Sequence, residues 1–322
     1  MVSRYVGLVD ETAFGSAVTP PTTFIDAKRC TLHPERDTMK CEGMANPGSS
    51  GGQVGNYKIV GEIEIIPTSD NIAKLLKWLL GPPATTTDAS NHYQHVYVPT
   101  DTKKWGTVYL SPDIDTDAQQ FISCIPIDWT IEGAVGEPCS TIFSMLGMKD
   151  AKVAATALGT LSSVRQFFSL DAAITVDIVT AVLQGFSIKY SRPVADDNYS
   201  MDDPFLKGFI LGFPELSGSI DLMFNDWAMF GKFWGATAAP IAKPAKASIT
   251  LTLTGDTLGG TGVWTNHLMK VEMPSVMIKA FESPVEIRDK IVQSATLDMV
   301  RGVSGADTTL MKVTLANALA VP

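Results

Sequence analysis

The sequence predicts a mainly β protein with flanking helices, arranged as two tandem β-sandwich or barrel domains that each carry one amphipathic α-helix. Three observations predict it. Strand-like alternation of apolar and polar residues recurs along the chain, two segments carry apolar residues at helical spacing, and each of those segments follows a strand in the same order in the two halves. The 322 residues exceed the roughly 100–200 expected of one domain. With 45% hydrophobic and 18% charged residues the chain has ample material for a core.

Taken in order, Thr31-Leu32-His33-Pro34 reads as a strand stopped by proline. The alternation in Glu62-Ile63-Glu64-Ile65 puts the isoleucines on a buried face and Glu62 and Glu64 on a wet one. Thr68, Ser69 and Asp70 supply N-cap candidates for a helix whose Ile72, Leu75, Leu76, Leu79 and Leu80 share one face, and Gly81 with Pro82 and Pro83 ends it. Strands are expected at 94–99, 105–110 and 121–132.

The pattern then returns. Tyr190-Ser191-Arg192-Pro193 closes a strand, and Gly218-Ser219-Ile220-Asp221-Leu222 repeats the alternation with Asp221 in the place of Glu64. Asn225 or Asp226 caps a helix whose stripe is Met229, Phe230, Phe233 and Trp234, ended by Gly235, and strands follow at 247–253 and 268–281. From Pro34 to Gly61 is 27 residues and on to Gly81 is 20; from Pro193 to Gly218 is 25 and on to Gly235 is 17. This predicts a tandem duplication, 1–158 and 159–322, joined in the weakly patterned stretch between Met145 and Ser163. Two long polar segments read as functional loops: 35–56, with Asn46, Pro47, Gly48, Ser49, Ser50, Gly51 and Gly52 at its tip, and 194–206, with Asp196, Asp197, Asp202 and Asp203.

Chemistry is sparse. Cys30, Cys41, Cys124 and Cys139 form no CxxC and read as reduced thiols. His92 and His95, three apart near a strand, point to opposite faces, and Cys30, His33 and Cys41 lack the two tight ligand pairs of a structural zinc site. Asp113-Ile114-Asp115-Thr116-Asp117 imitates a calcium loop but has Ala118 and Cys124 where glycine and glutamate belong. The glycine-rich 255–262 lacks the Lys-Ser/Thr of a phosphate cradle and reads as a hairpin loop, and neither GxSxG nor HExxH occurs. No catalytic residue, cofactor or metal is expected. The net charge of -9 opposes tight binding of nucleic acid, no apolar run suffices for a membrane span, and the early Asp10 and Glu11 argue against an export signal.

The opening Tyr5-Val6-Gly7-Leu8-Val9-Asp10-Glu11-Thr12-Ala13-Phe14-Gly15, the strand and helix between Gly61 and Gly81, and Phe121-Ile122-Ser123-Cys124-Ile125-Pro126-Ile127-Asp128 resemble the major tail tube proteins of long-tailed, siphovirus-like phages, in a two-domain form. The resemblance implies a non-enzymatic virion protein, assembled in the host cytoplasm, whose rings stack into a hollow tail tube with a continuous β-sheet wall. Double-stranded genomic DNA leaves through the lumen without specific binding, and an acidic lining repels its phosphates. Six domain equivalents per ring, at two per chain, imply a homotrimer. The tape measure protein, tail-tip proteins and tail terminator are the implied partners. On this reading Glu62, Glu64 and Asp221 are lumen candidates, and Asn46 to Gly52 reach the adjacent ring. The alternative is a secreted or surface β-sandwich adhesin or binding module, which needs an export signal or an exposed aromatic platform.

Overall fold

The computed structural model describes residues 4–42, 49–112, 117–177, 179–223, 231, 233–235, 241, 246–282, 292–299 and 309–320. The first half contributes β1 (Tyr5–Asp10), β2 (Thr23–Ile25), β3 (Ala27–Cys30), β4 (His33–Glu42), β5 (Ser49–Ile65), α1 (Ala73–Leu80), β6 (Ala84–Thr87), β7 (Tyr93–Tyr97), β8 (Gly106–Ser111), β9 (Asp117–Ala134), β10 (Ser140–Gly147) and β11 (Lys149–Ala154). The second contributes β12 (Ala172–Val176), β13 (Val179–Ala181), β14 (Leu183–Ser191), β15 (Val194–Ala195), β16 (Ile210–Leu211), β17 (Glu215–Met223), β18 (Ala247–Thr257), β19 (Asn266–Glu282), β20 (Val292–Met299) and β21 (Lys312–Asn317). The protein is mainly β, as the alternation predicts.

An antiparallel sheet runs in the order β3, β5, β10, β9, β14, β17, β20, β19. Its first four strands and its last four are built alike. Ile142 of β10 faces Glu64 of β5 and Thr130 of β9; Ser294 of β20 faces Asp221 of β17 and Glu282 of β19. The irregularities coincide too. Lys28 is the extra residue where β3 meets β5, and Gln184 where β14 meets β17; Ile127 is extra where β9 meets β10, and Lys279 where β19 meets β20. The β8–β9 and β18–β19 ladders likewise shift at Gly106/Val108 and at Ala247/Ile249. A β-bulge bends and twists its strand, so matched bulges give the two groups of four strands the same curvature.

Gly61 and Gly218 occupy equivalent places under a neighbouring strand. A Cβ on Gly61 would lie 2.5 Å from the Thr31 carbonyl oxygen, and one on Gly218 would lie 2.6 Å from that of Ser187. The prolines correspond less well than spacing suggests: Pro34 pairs with Ile59, but the residue placed like it against β17 is Tyr190, opposite Leu216, and not Pro193. Near-equal spacing hid this offset because the loops differ in length.

Most of the buried apolar side chains of both halves form one continuous cluster, from Val6 and Leu8 through Trp129 and Tyr190 to Leu315, with smaller clusters around Ile125 and Phe209 and around Tyr5 and Tyr109. Leu75, Leu76, Leu79 and Leu80 of α1 are buried in it, each contributing roughly 1.5–3 kcal/mol. Trp78 is buried as well, because Asp10 of β1 accepts its indole N–H. The helix begins later than Thr68, Ser69 and Asp70 suggest. Its N-cap is Ile72, with no side-chain cap, while the Thr68 hydroxyl accepts the N–H groups of Asp70 and Asn71 in the turn before it. Of the second stripe, Phe233 and Trp234 are helical, as is Gly231 beside them, and Phe233 stacks on Phe281 at 6.2 Å; Met229 and Phe230 lie outside the described residues.

Two boundaries move. The stretch expected to be weakly patterned from Met145 is strand until Ala154, in β10 and β11, and the connection without regular structure runs from 155 to 168. The segment read as a loop at 35–56 is a long antiparallel hairpin: Met39 pairs with Gln53, Lys40 with Gly52 and Glu42 with Ser49. Ser49, Ser50, Gly51 and Gly52 are therefore strand, and Asn46, Pro47 and Gly48 lie outside the described residues. Its polar sequence hid it, since strand alternation is legible only where one face is buried.

Candidate functional site

One face of the eight-stranded sheet packs on the core and the other is polar. Period-two geometry sorts them: Ile63 and Ile65 of β5, Phe143 of β10, Trp129 and Ile131 of β9, Ile188 and Tyr190 of β14 and Ile220 and Leu222 of β17 are all buried. Between them, Glu62 and Glu64, Ser140 and Ser144, Asp128 and Glu132, Ser187, Lys189 and Ser191, Ser219 and Asp221 stand on the opposite face at positions that face each other along the ladders. Glu62, Glu64 and Asp221 thus share one surface. Glu64 and Asp221 line the same hollow of about 380 Å³, together with Lys28, Glu132, Ser140, Ser187 and Ser219.

The equivalent carboxylates differ in their partners. Lys28 Nζ lies 2.6 Å from Glu64 Oε1, Arg29 Nε 3.3 Å from Glu64 Oε2 and Arg29 Nη2 3.3 Å from Glu62 Oε2. The Lys28 ammonium in particular holds the Glu64 carboxyl below the usual range. At the second site Gly185 faces Asp221 where Arg29 faces Glu64, and Asp221 accepts the Ser294 hydroxyl at 2.6 Å. The two equivalent positions share the sign of the charge and differ in how it is neutralised. Lys189 lies 3.3 Å from Asp128 and Lys279 2.8 Å from Asp298, so these lysines sit against carboxylates.

Asp128, Glu132, Ser187, Lys189 and Ser191 of this face carry a sequence signal too. Asp128-Trp129-Thr130-Ile131-Glu132 and Ser187-Ile188-Lys189-Tyr190-Ser191 each alternate with period two, the same signal that marked Glu62 and Glu64.

The second feature is the arm formed by β4 and β5. Met39 and Val54 stand exposed on it. Its base is braced by the second polar segment, where Asp196 accepts from Lys58 at 2.5 Å and the ring of Phe205 meets that of Tyr57 edge-on at 5.4 Å. Tyr57 also donates to Asp150 and lies under the Arg36 guanidinium; burial and the Asp150 carboxylate push its phenol up to about 12.

Three of the four histidines serve the packing, and His33 is exposed. His95 is buried between Thr85 and the Asn317 side chain, and His267 Nδ1 lies 2.8 Å from Ser69 Oγ. His92 sits 3.3 Å from Asp88, whose carboxylate also accepts the backbone N–H groups of Ser90 and His92. Among the described residues no three His, Cys, Asp or Glu side chains are placed to hold a metal ion, and Cys30, Cys124 and Cys139 are free thiols. The residues of the calcium-like motif at 113–116 lie outside those described, and 258–265 forms the β18–β19 hairpin loop. Among the described residues no helix is long and apolar enough to cross a membrane.

A family model described as phage tail tube protein matches residues 3–307. No curated protein matches the chain.

Proposed function

The chain belongs to the phage tail tube protein family, and from that premise we propose that it forms homotrimeric rings which stack into the tail tube, leaving a conduit for double-stranded DNA. A structural role in the virion tail follows from the family itself. The finer reading is carried by one observation: two groups of four strands with the same order and the same bulges lie side by side in one sheet. Two equivalent units per chain, 1–158 and 159–322, let three chains supply six wall segments, with true threefold and approximate sixfold symmetry. The polar face bearing Glu62, Glu64 and Asp221 lines the lumen, where its carboxylates discourage phosphate binding. The β4–β5 arm reaches the next ring. The tape measure protein within the tube and the tail-tip and terminator proteins at its ends complete the set of partners.

Negative-stain microscopy of the purified chain tests this reading. Tubes whose cross-section has threefold symmetry are expected; six copies of the whole chain in one ring would overturn the trimer, and monodisperse single particles would overturn the tube.

A further inference from the structure

The connection between β14 and β17 is the counterpart, in the second group of four strands, of the connection between β4 and β5 in the first. The two are built differently. Residues 49–54 of β5 pair only with β4 among the described residues, so the first connection projects as the arm. The second, 192–214, folds back on the body of the protein. Leu206 and Phe209 are buried in a cluster with Ile125 of β9 and Leu146 of β10, Lys103 donates to the Phe209 carbonyl at 2.5 Å, and Arg192 donates to the carbonyls of Thr100 and Gly212.

From that anchored position the segment meets the arm at its root. On the side of β5 away from β4, the β10 ladder ends with Gly147 opposite Ile59, and two residues further Tyr57 pairs in parallel with Phe205. The Tyr57 N–H donates to the Pro204 carbonyl at 2.8 Å, and the two rings meet edge-on. The neighbouring Lys58–Asp196 pair is open to solvent and weak for that reason, which leaves Phe205 as the firmer part of the contact. Immediately beyond it Asp37 of β4 stands opposite both Gly55 and Asn56, and such a bulge bends its strand. The arm therefore changes direction just past the place where Phe205 holds it.

A hairpin of two strands has little rigidity of its own, so whatever fixes its root decides where its tip arrives. We propose that the 192–214 segment sets the direction in which the arm leaves the sheet, with Phe205 as the positioning residue, and that stacking depends on this contact. The role rests on the stacking reading above and adds to it a residue of the second half on which the arm of the first depends. Met39 and Val54, exposed beyond the bend, are the side chains that the contact aims. The acidic segment 194–206 thereby has its task inside the subunit.

Substitution at Phe205 in the full chain tests this. Phe205→Ala removes one half-buried ring and is expected to keep the parent circular dichroism spectrum and to form rings, while tubes require a roughly tenfold higher protein concentration. Phe205→Tyr keeps the ring and is expected to assemble like the parent. The double variant Tyr57→Cys with Phe205→Cys, at positions that face each other across a β-bridge and lie within disulfide reach, supplies the rescue. Reduced, it lacks both rings and elongates poorly; oxidised, with the root tied again, it elongates as the parent treated alike does. Tubes from Phe205→Ala at the parent's concentration, an oxidised pair that elongates no better than the reduced one, or a Phe205→Ala chain that loses its fold would overturn the positioning role and leave the stacking reading standing. A parent chain that makes no tubes overturns the stacking reading itself, and this role with it.

Discussion

Asp10 accepts the indole N–H of Trp78 at 2.6 Å, and its other oxygen holds Lys77 at 2.8 Å. One carboxylate thereby ties the buried helix to the first strand. Burial pushes the Asp10 carboxyl up, but the bonds from Lys77 and Trp78 outweigh it and leave the group below its usual value.

Asp10→Ala leaves a buried donor without its acceptor and is expected to cost about 1–3 kcal/mol, read as a lower thermal midpoint. A carboxyl whose pKa is lowered by folding stabilises the protein above its unfolded-state pKa, and that contribution is lost as pH falls through the folded-state value. The gap in stability between the wild type and Asp10→Asn is therefore full at neutral pH and closes on acidification. A gap that widened in acid would contradict the assignment.

Gly61→Ala and Gly218→Ala both drive a methyl into the adjacent strand, against the Thr31 and Ser187 carbonyl oxygens. Overpacking of this kind costs roughly 1–3 kcal/mol. Gly61 also has a φ of +141°, which an alanine adopts only under strain, so it is expected to be the worse of the two. Denaturant midpoints for the pair of variants give the order directly.

Charge reversal on the polar face separates its two equivalent sites. Asp221→Lys, beside Gly185 and Ser294, is expected to leave assembly intact and slow DNA ejection. Glu64→Lys places a third cation beside Lys28 and Arg29 and is expected to lower stability before any effect on ejection can be read. Ejection kinetics of virions carrying Asp221→Lys check the lumen assignment; rates equal to the wild type would remove it.

Shortening the arm tests stacking. Thr38 pairs with Val54, so replacing residues 39–53 by an Asn-Gly turn yields a regular two-residue hairpin. The variant is expected to keep its circular dichroism spectrum and to stop at rings. Full-length tubes from it would make the arm a passive insertion.

How much of this was legible depended on burial. The α1 stripe and the ladder around Ile63 and Ile65 were readable because one face of each meets the core and the other meets solvent. The β4–β5 arm was not, because polar residues on both faces erase the period. Gly61 and Gly218 correspond in space as they do in sequence, while Pro34 and Pro193 do not: Pro34 lies inside β4, opposite Ile59, and does not end a strand as its sequence suggests, whereas Pro193 follows the end of β14. The joining of the halves through Asp128 and Ser191 was invisible for another reason: alternation assigns a face to each strand but never its neighbour.

The last strand has a consequence for synthesis. β21 inserts beside β7, Val313 opposite Tyr97 and Asn317 opposite Tyr93, so residues made early wait for residues made more than two hundred positions later. A pairing so distant along the chain is slow to form and comes after the local hairpins. Until the ribosome has delivered β21, β7 keeps an open side next to the buried His95, and the nascent first half is left unfinished. Delivery of β21, and not the appearance of the first half alone, is then the event that closes the sheet beside β7.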